Sequence, residues 1–220
     1  RGNGGGSGMK GAIFDMDGVL LNSEILYQRF WLEALHYFNY PATESHVLAL
    51  RSLTGKKAEA KLKSFFGEDF DYPTVKAKRI ELMDNFVNEN GVEMKKGADI
   101  LLPYLKEKGI KIALATSSPL ERAKDHLSRV NLFQYFDTCV CGPMVKNSKP
   151  APDIYLLASE KLGLKPDECI AVEDSPNGAL SAINANCKTI VVPDLTPCDE
   201  SIKPKLFALC DSLLDIKNYV

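Results

Sequence analysis

The chain has 220 residues, with 27 basic and 29 acidic side chains and a formal net charge of -2. Apolar residues at 45% and charged residues at 25% are ordinary for a soluble globular fold. There is no basic block of the kind nucleic acid selects, and no apolar run reaches the ~20 residues that span a bilayer. Nucleic-acid and membrane partners are therefore excluded, and a cytoplasmic protein handling small molecules is expected.

The first eight residues, RGNGGGSG, precede Met9 and read as a purification-tag remnant or linker. Their glycines are not a phosphate loop, because no strand precedes them. The apolar run Gly11–Phe14 then stops abruptly at Asp15, followed by Met16, Asp17 and Gly18. That pattern predicts a buried strand delivering two carboxylates at its carboxyl end. Two aspartates two apart on an extended chain point the same way, and like charges that close need a cation or a shared proton. Gly18 permits a sharp turn or the close approach of a ligand.

From Ser23 to Val92 the periodicity is helical and amphipathic. A first helix carries Ile25, Phe30, Leu32, Leu35 and Phe38, and a second runs through Val47–Leu53. A third takes in Ala58, Leu62, Phe65 and Phe66 and stops at Gly67. The fourth carries Val75, Ile80, Leu82, Met83, Phe86 and Val87 to Asn90–Gly91. The TGKK stretch at 54–57 is not a P-loop, since Leu50 stands where the first glycine is needed and no strand precedes it. The acidic loop Glu68, Asp69 and Asp71 lacks the spacing of a calcium-binding loop.

After Gly97 strands and helices alternate with short connections, which predicts an α/β fold: a Rossmann-like parallel sheet covered by helices on both faces. Strand Ile110–Ala115 meets Thr116-Ser117-Ser118, with Pro119 opening a helix. The strand at Thr138–Cys141 leads to Lys149, with Pro150 and Pro152 opening the next. Strand Cys169–Val172 meets Glu173-Asp174-Ser175, with Pro176 opening a third. A strand at Thr189–Val192 and one near Phe207–Leu209 complete the sheet. The six cysteines, all in the second half, lack the paired spacing of a zinc site and read as reduced, mostly buried thiols.

Four polar stations thus converge on the strand-end crevice where such sheets bind ligands. They are Asp15 with Asp17, Thr116 to Ser118, Lys149, and Glu173 with Asp174. Four carboxylates with no histidine or cysteine among them call for a hard divalent cation, magnesium above all. Thr116, Ser117 and Ser118 with the following helix N-terminus suit an anion, and Lys149 adds a positive charge. Metal, anion cradle, lysine and carboxylate nucleophile together describe phosphoryl transfer through an aspartyl-phosphate.

The stretches FDMDGVLLNSE, LATSSP, SKPAPDIY and VEDSPNG resemble, in that order, the four motifs of the haloacid-dehalogenase superfamily. The resemblance is to the branch of beta-phosphoglucomutase and the small sugar-phosphate phosphatases. It implies a core of residues 9–22 and 93–220 with a helical cap of residues 23–92. It further implies Asp15 as nucleophile, Asp17 as general acid and base, and Thr116 and Lys149 with the backbone around Ser117 on the phosphoryl group. Magnesium would be held by Asp15, Glu173, Asp174 and the main chain of Asp17. Substrate contacts would come from Gly18, Ser118 and Glu24, with Tyr27, Lys56, Lys57 and Lys78 as further specificity candidates.

The mutase of that branch carries a histidine where this chain has Tyr27 and a cap arginine where counting from Gly55 gives Ala58. Its Lys-Asn pair after the second motif is here Pro119 and Leu120. The resemblance therefore implies a magnesium-dependent phosphatase of a small phosphorylated metabolite, a sugar or polyol phosphate, lacking a cationic grip on a second phosphate. A phosphosugar mutase is the alternative. A non-catalytic phospho-ligand binding protein would be expected to lose one of the four acids, and all are present.

Overall fold

Every residue of the first strand, β1 (Gly11–Phe14), is buried, as a strand covered on both faces requires. The computed structural model describes residues 8–220, so the glycine-rich leader, read above as a tag or linker, lies outside the described residues up to position 7. β1 pairs in parallel with β2 (Lys111–Thr116) on one side and β4 (Cys169–Glu173) on the other. With β3 (Thr138–Cys141), β5 (Lys188–Val191) and β6 (Ala208–Leu209) the sheet runs in the order β3-β2-β1-β4-β5-β6. The chain builds outward from β1 in one direction and then starts again on its other edge, so β1 sits at the switch point.

The two-residue period of the strands sorts their side chains between two apolar layers. Ala12, Phe14, Ile112, Leu114, Ile170 and Val172 pack beneath α5 (Ala98–Glu107) and α6 (Leu120–Arg129). Ile13, Ala113, Ala115 and Ala171 pack against α7 (Asp153–Lys161) and α8 (Pro176–Asn184). Four of the six thiols are buried and none is disulfide-bonded, and burial pushes Cys169 and Cys187 up to about 12. Such thiols stay protonated and unreactive.

Between β1 and α5 the chain forms α1 (Glu24–Tyr37), α2 (Glu44–Leu48), α3 (Gly55–Phe66) and α4 (Tyr72–Asn90). Trp31, Leu35, Val47, Leu62, Phe70 and Val75 make an apolar cluster of their own. The exit and return strands of this segment are stitched together. Asn22 N–H donates to Glu93 O at 2.7 Å and Lys95 N–H to Leu20 O at 2.8 Å, across an antiparallel bridge between Leu21 and Met94. No helix among the described residues is long and apolar enough to cross a membrane.

Two expectations change. The second helix ends at Leu48 rather than Leu53, because the chain turns and Ser52 takes a left-handed φ of 61°. Pro119 and Pro152 sit at helix caps instead of opening the helices. Pro176 is a first helical residue, behind Ser175, whose Oγ accepts from Gly178 N–H at 3.3 Å.

Candidate active site

Asp15 stands one residue beyond β1, its N–H donating to Val172 O at 3.1 Å, so the sheet ladder itself fixes its backbone. The residue is 7% exposed. Lys149 comes in from the loop after β3, 1% exposed, and its ammonium is fully spent. It donates to Glu173 Oε1 at 2.6 Å, to Ala115 O at 3.1 Å and to Asp15 Oδ1 at 3.2 Å. Three acceptors match its three hydrogens. Burial lowers its pKa, but the charges of Asp15 and Glu173 outweigh that and hold it above the usual lysine value.

Glu173 ends β4, fully buried, and the Tyr155 hydroxyl of α7 also donates to its Oε1. Burial, then the charge of Asp15, push Glu173 up to about 7. Asp174 follows. Its Oδ2 accepts from the Arg51 guanidinium at 2.8 Å, while burial and the charges of Asp15, Glu24 and Glu173 raise its pKa well above the carboxylate range. Gly18, at φ +83°, packs so tightly against the Asp174 carboxylate that any Cβ would overlap it.

Asp15, Glu173 and Asp174 each offer an oxygen within 4.8 Å of the others, and all three are buried. Asp174 Oδ1 is buried with no hydrogen-bond partner, an arrangement that would be costly unless an ion completes it. An all-oxygen donor set with such an orphan fits a hard divalent cation. The Asp17 carboxylate is outside this trio: Ser23 Oγ donates to its Oδ1, and Ser118 Oγ lies 3.4 Å from its Oδ2. Of the four acids singled out in the sequence, three thus converge by their carboxylates, while the Asp17 carboxylate is held by Ser23 and Ser118. Burial and then the charge of Asp15 push Asp17 up to about 6.

Thr116 ends β2, fully buried. Its Oγ1 accepts from Ser118 N–H at 3.1 Å and so shapes the loop, while Ser117 and Ser118 line the crevice itself. Above it lies a cavity of about 390 Å³ whose other walls come from the helical segment, among them Glu24, Tyr27, Trp31, Tyr72, Lys76 and Arg79, with Arg122 of α6. Burial, then the charge of Asp17, push Glu24 up to about 8. Tyr27 Oη is 3.2 Å from Ser118 Oγ.

Lys56, Lys57 and Lys78 do not line the cavity. Lys57 reaches the Ser148 carbonyl and Lys78 lies 4.2 Å over the Tyr37 ring, because helix phase turns them away. Sequence reasoning gave no role to Tyr155, although it lies in the quoted SKPAPDIY stretch, nor to Arg51 or Ser23. Nor did it single out Lys76, Arg79 and Arg122. The i, i+3 spacing of Lys76 and Arg79 was the available signal.

The family described as haloacid dehalogenase-like hydrolase matches residues 12–192. A phosphorylated carbohydrates phosphatase from Thermotoga maritima is 34% identical over 182 residues, 83% of this chain and 84% of its own. Hexitol phosphatase A from Escherichia coli is 35% identical over 186 residues, 83% of this chain and 82% of its own. The crystal structure of a beta-phosphoglucomutase from Clostridium difficile superposes with a TM-score of 0.80 at 22% identity, covering 93% of this chain and 92% of that one, a likeness of fold.

Proposed function

The chain belongs to the haloacid dehalogenase-like hydrolases, and from that membership we propose that it is a magnesium-dependent phosphatase of a small phosphomonoester, a sugar or polyol phosphate, acting through an aspartyl-phosphate. The observation that carries this reading is the division of labour among the acids. Asp15 is ion-paired to Lys149 inside a metal-competent trio, while Asp17 is held apart by Ser23 and Ser118 with its pKa near the working range. The two phosphatase relatives support it.

Asp15, Glu173 and Asp174, with the main chain of Asp17, would hold magnesium, which when bound neutralises charge on the transferring phosphoryl group. Lys149 adds a second positive charge beside Asp15, so an anionic phosphate can approach an anionic nucleophile. An Asp15 oxygen bonds to phosphorus as the bond to the leaving oxygen breaks, and Asp17 in its acid form gives that oxygen a proton. Water then attacks the same phosphorus, Asp17 takes a proton from that water, and the bond between the Asp15 oxygen and phosphorus breaks to release phosphate. Thr116 and the backbone at Ser117 position the phosphoryl oxygens, and Ser118 and Glu24 face the substrate, while Gly18 lies against Asp174 outside the cavity lining.

Residues 23–92 act as a cap on the core of residues 9–22 and 93–220. Supporting this, the segment's apolar cluster is its own, its two tethers pair, and it roofs the cavity. Arg51–Asp174 and Ser52–Ser175 contacts latch it onto the acidic loop. Closure of such a lid excludes bulk water from the phosphoryl-enzyme.

The test is magnesium-dependent release of inorganic phosphate from a panel of sugar and polyol monophosphates. One observation favours the mutase alternative: Lys76, Arg79 and Arg122 supply cations that the positions compared in the sequence lacked. Supplying beta-glucose 1-phosphate with a trace of the 1,6-bisphosphate separates the two. Free phosphate appearing faster than glucose 6-phosphate is the expected result, and the reverse overturns the phosphatase assignment.

A further inference from the structure

Arg79 is an anomaly for a helix buried against aromatic rings. It is 5% exposed, stacked 5.0 Å from the Tyr27 ring and 5.3 Å from the Trp31 ring. Its Nε has no partner, and its one recorded side-chain hydrogen bond is a weak contact of 4.0 Å to the Met83 sulfur. Cation–π contact offsets part of the cost of burying a guanidinium, but a buried cation ordinarily finds an anion.

Lys76 sits one turn earlier on α4, on the same face, and Arg122 reaches the same cavity from α6 on the sheet side. Among the described residues none of the three is ion-paired with a carboxylate, although eleven such contacts within 4.0 Å are formed elsewhere. The acids lining the cavity do not pair with them: Asp15 is held by Lys149, Asp17 by Ser23 and Ser118, and Glu24 lies within 4.0 Å of none of the three cations. Burial, then the charges of Arg79 and Arg122, lower the Lys76 pKa, so the three cations feel one another.

The transferring phosphoryl group already has Lys149. We infer that the preferred substrate carries a second anionic group, a phosphate or a carboxylate remote from the phosphoryl group transferred, gripped by Lys76, Arg79 and Arg122. This rests on the phosphatase reading of the same site. On this inference a distal grip would come from α4 and α6 instead of Tyr27, Ala58, Pro119 and Leu120, the positions compared in the sequence.

The test uses three ligands of one carbon skeleton: glucose 6-phosphate, 6-phosphogluconate and glucose 1,6-bisphosphate. Binding is measured by calorimetry to the Asp15→Asn protein with magnesium, so affinity is read without turnover. At least one of the two anionic-ended ligands should bind ten-fold or more tighter than glucose 6-phosphate, and which one gains tells carboxylate from phosphate. In Lys76→Met and Arg122→Met, both half-buried positions that leave the buried Arg79 packing in place, that ratio should fall toward one. Equal or weaker binding of both anionic-ended ligands overturns the inference, as does a preference that survives both substitutions. Phosphate release by the unsubstituted enzyme from p-nitrophenyl phosphate and from the same three compounds is measured separately. Its absence would overturn the phosphatase reading while the binding ratio still decides the second-anion inference.

Discussion

Gly178 is the third residue of α8, where alanine would ordinarily be the better helix former by about 1 kcal/mol. Here a methyl group would overlap the Glu173 carboxylate at both oxygens and the carbon between them. Glu173 has nowhere to go: it is fully buried, and its Oε1 takes donors from both Lys149 and Tyr155. Displacing it weakens two buried hydrogen bonds to a charged group, worth about 1.5–3 kcal/mol each. Set against the helix gain, Gly178→Ala should lose about 2–5 kcal/mol, or roughly 5–15 °C in melting temperature for a chain of this size. Phosphate release should fall with it, because Lys149 loses one of its three acceptors. Shortening the obstructing side chain in the double variant Gly178→Ala/Glu173→Asp should recover part of the stability, a coupling that independent sites would not show. A single variant melting at or above the unsubstituted protein would refute the claim that Glu173 is pinned against α8.

Asp15→Asn should abolish phosphate release while keeping or raising the metal-free melting temperature, since it removes one of three crowded carboxylates; substantial turnover would end the covalent mechanism. Asp17→Asn should slow turnover by ~10²–10⁴-fold, the usual contribution of a general acid and base, and an unchanged rate would remove Asp17 from that role. Chelator should silence the enzyme and magnesium restore it, with calcium a poor substitute because it prefers more ligands at longer distances; full activity in chelator would refute the metal assignment.

The strands and their polar ends were legible because both are local. A buried parallel strand is a short apolar run, and its end is marked by the residue that breaks the run, as at Phe14–Asp15 and Val172–Glu173. The helices of the inserted segment were legible as periodicity, but their facing was not. Lys78 and Lys76 lie two residues apart on one helix, yet one sits over Tyr37 and the other lines the cavity. Arg51 was missed for a related reason. It lies in an irregular turn with no period, and its partner Asp174 is 123 residues away. Tyr155 fell in a stretch already singled out, but only the packing of α7 against the sheet reveals that its hydroxyl serves Glu173.

The stitched tethers at Leu20–Asn22 and Glu93–Lys95 bring the two ends of the helical segment side by side. The sheet therefore does not depend on that segment for its closure: a tight reverse turn joining Asn22 to Glu93 would leave β1 between β2 and β4. Asp15, the proposed nucleophile, Lys149 and the acidic loop all belong to the part that would remain. On the proposed reading, much of what would feel the far end of a substrate belongs to the part that could be exchanged. Chemistry and selectivity are in this sense written on separable pages, and the selectivity page can be rewritten, lengthened or removed without resetting the type on the other.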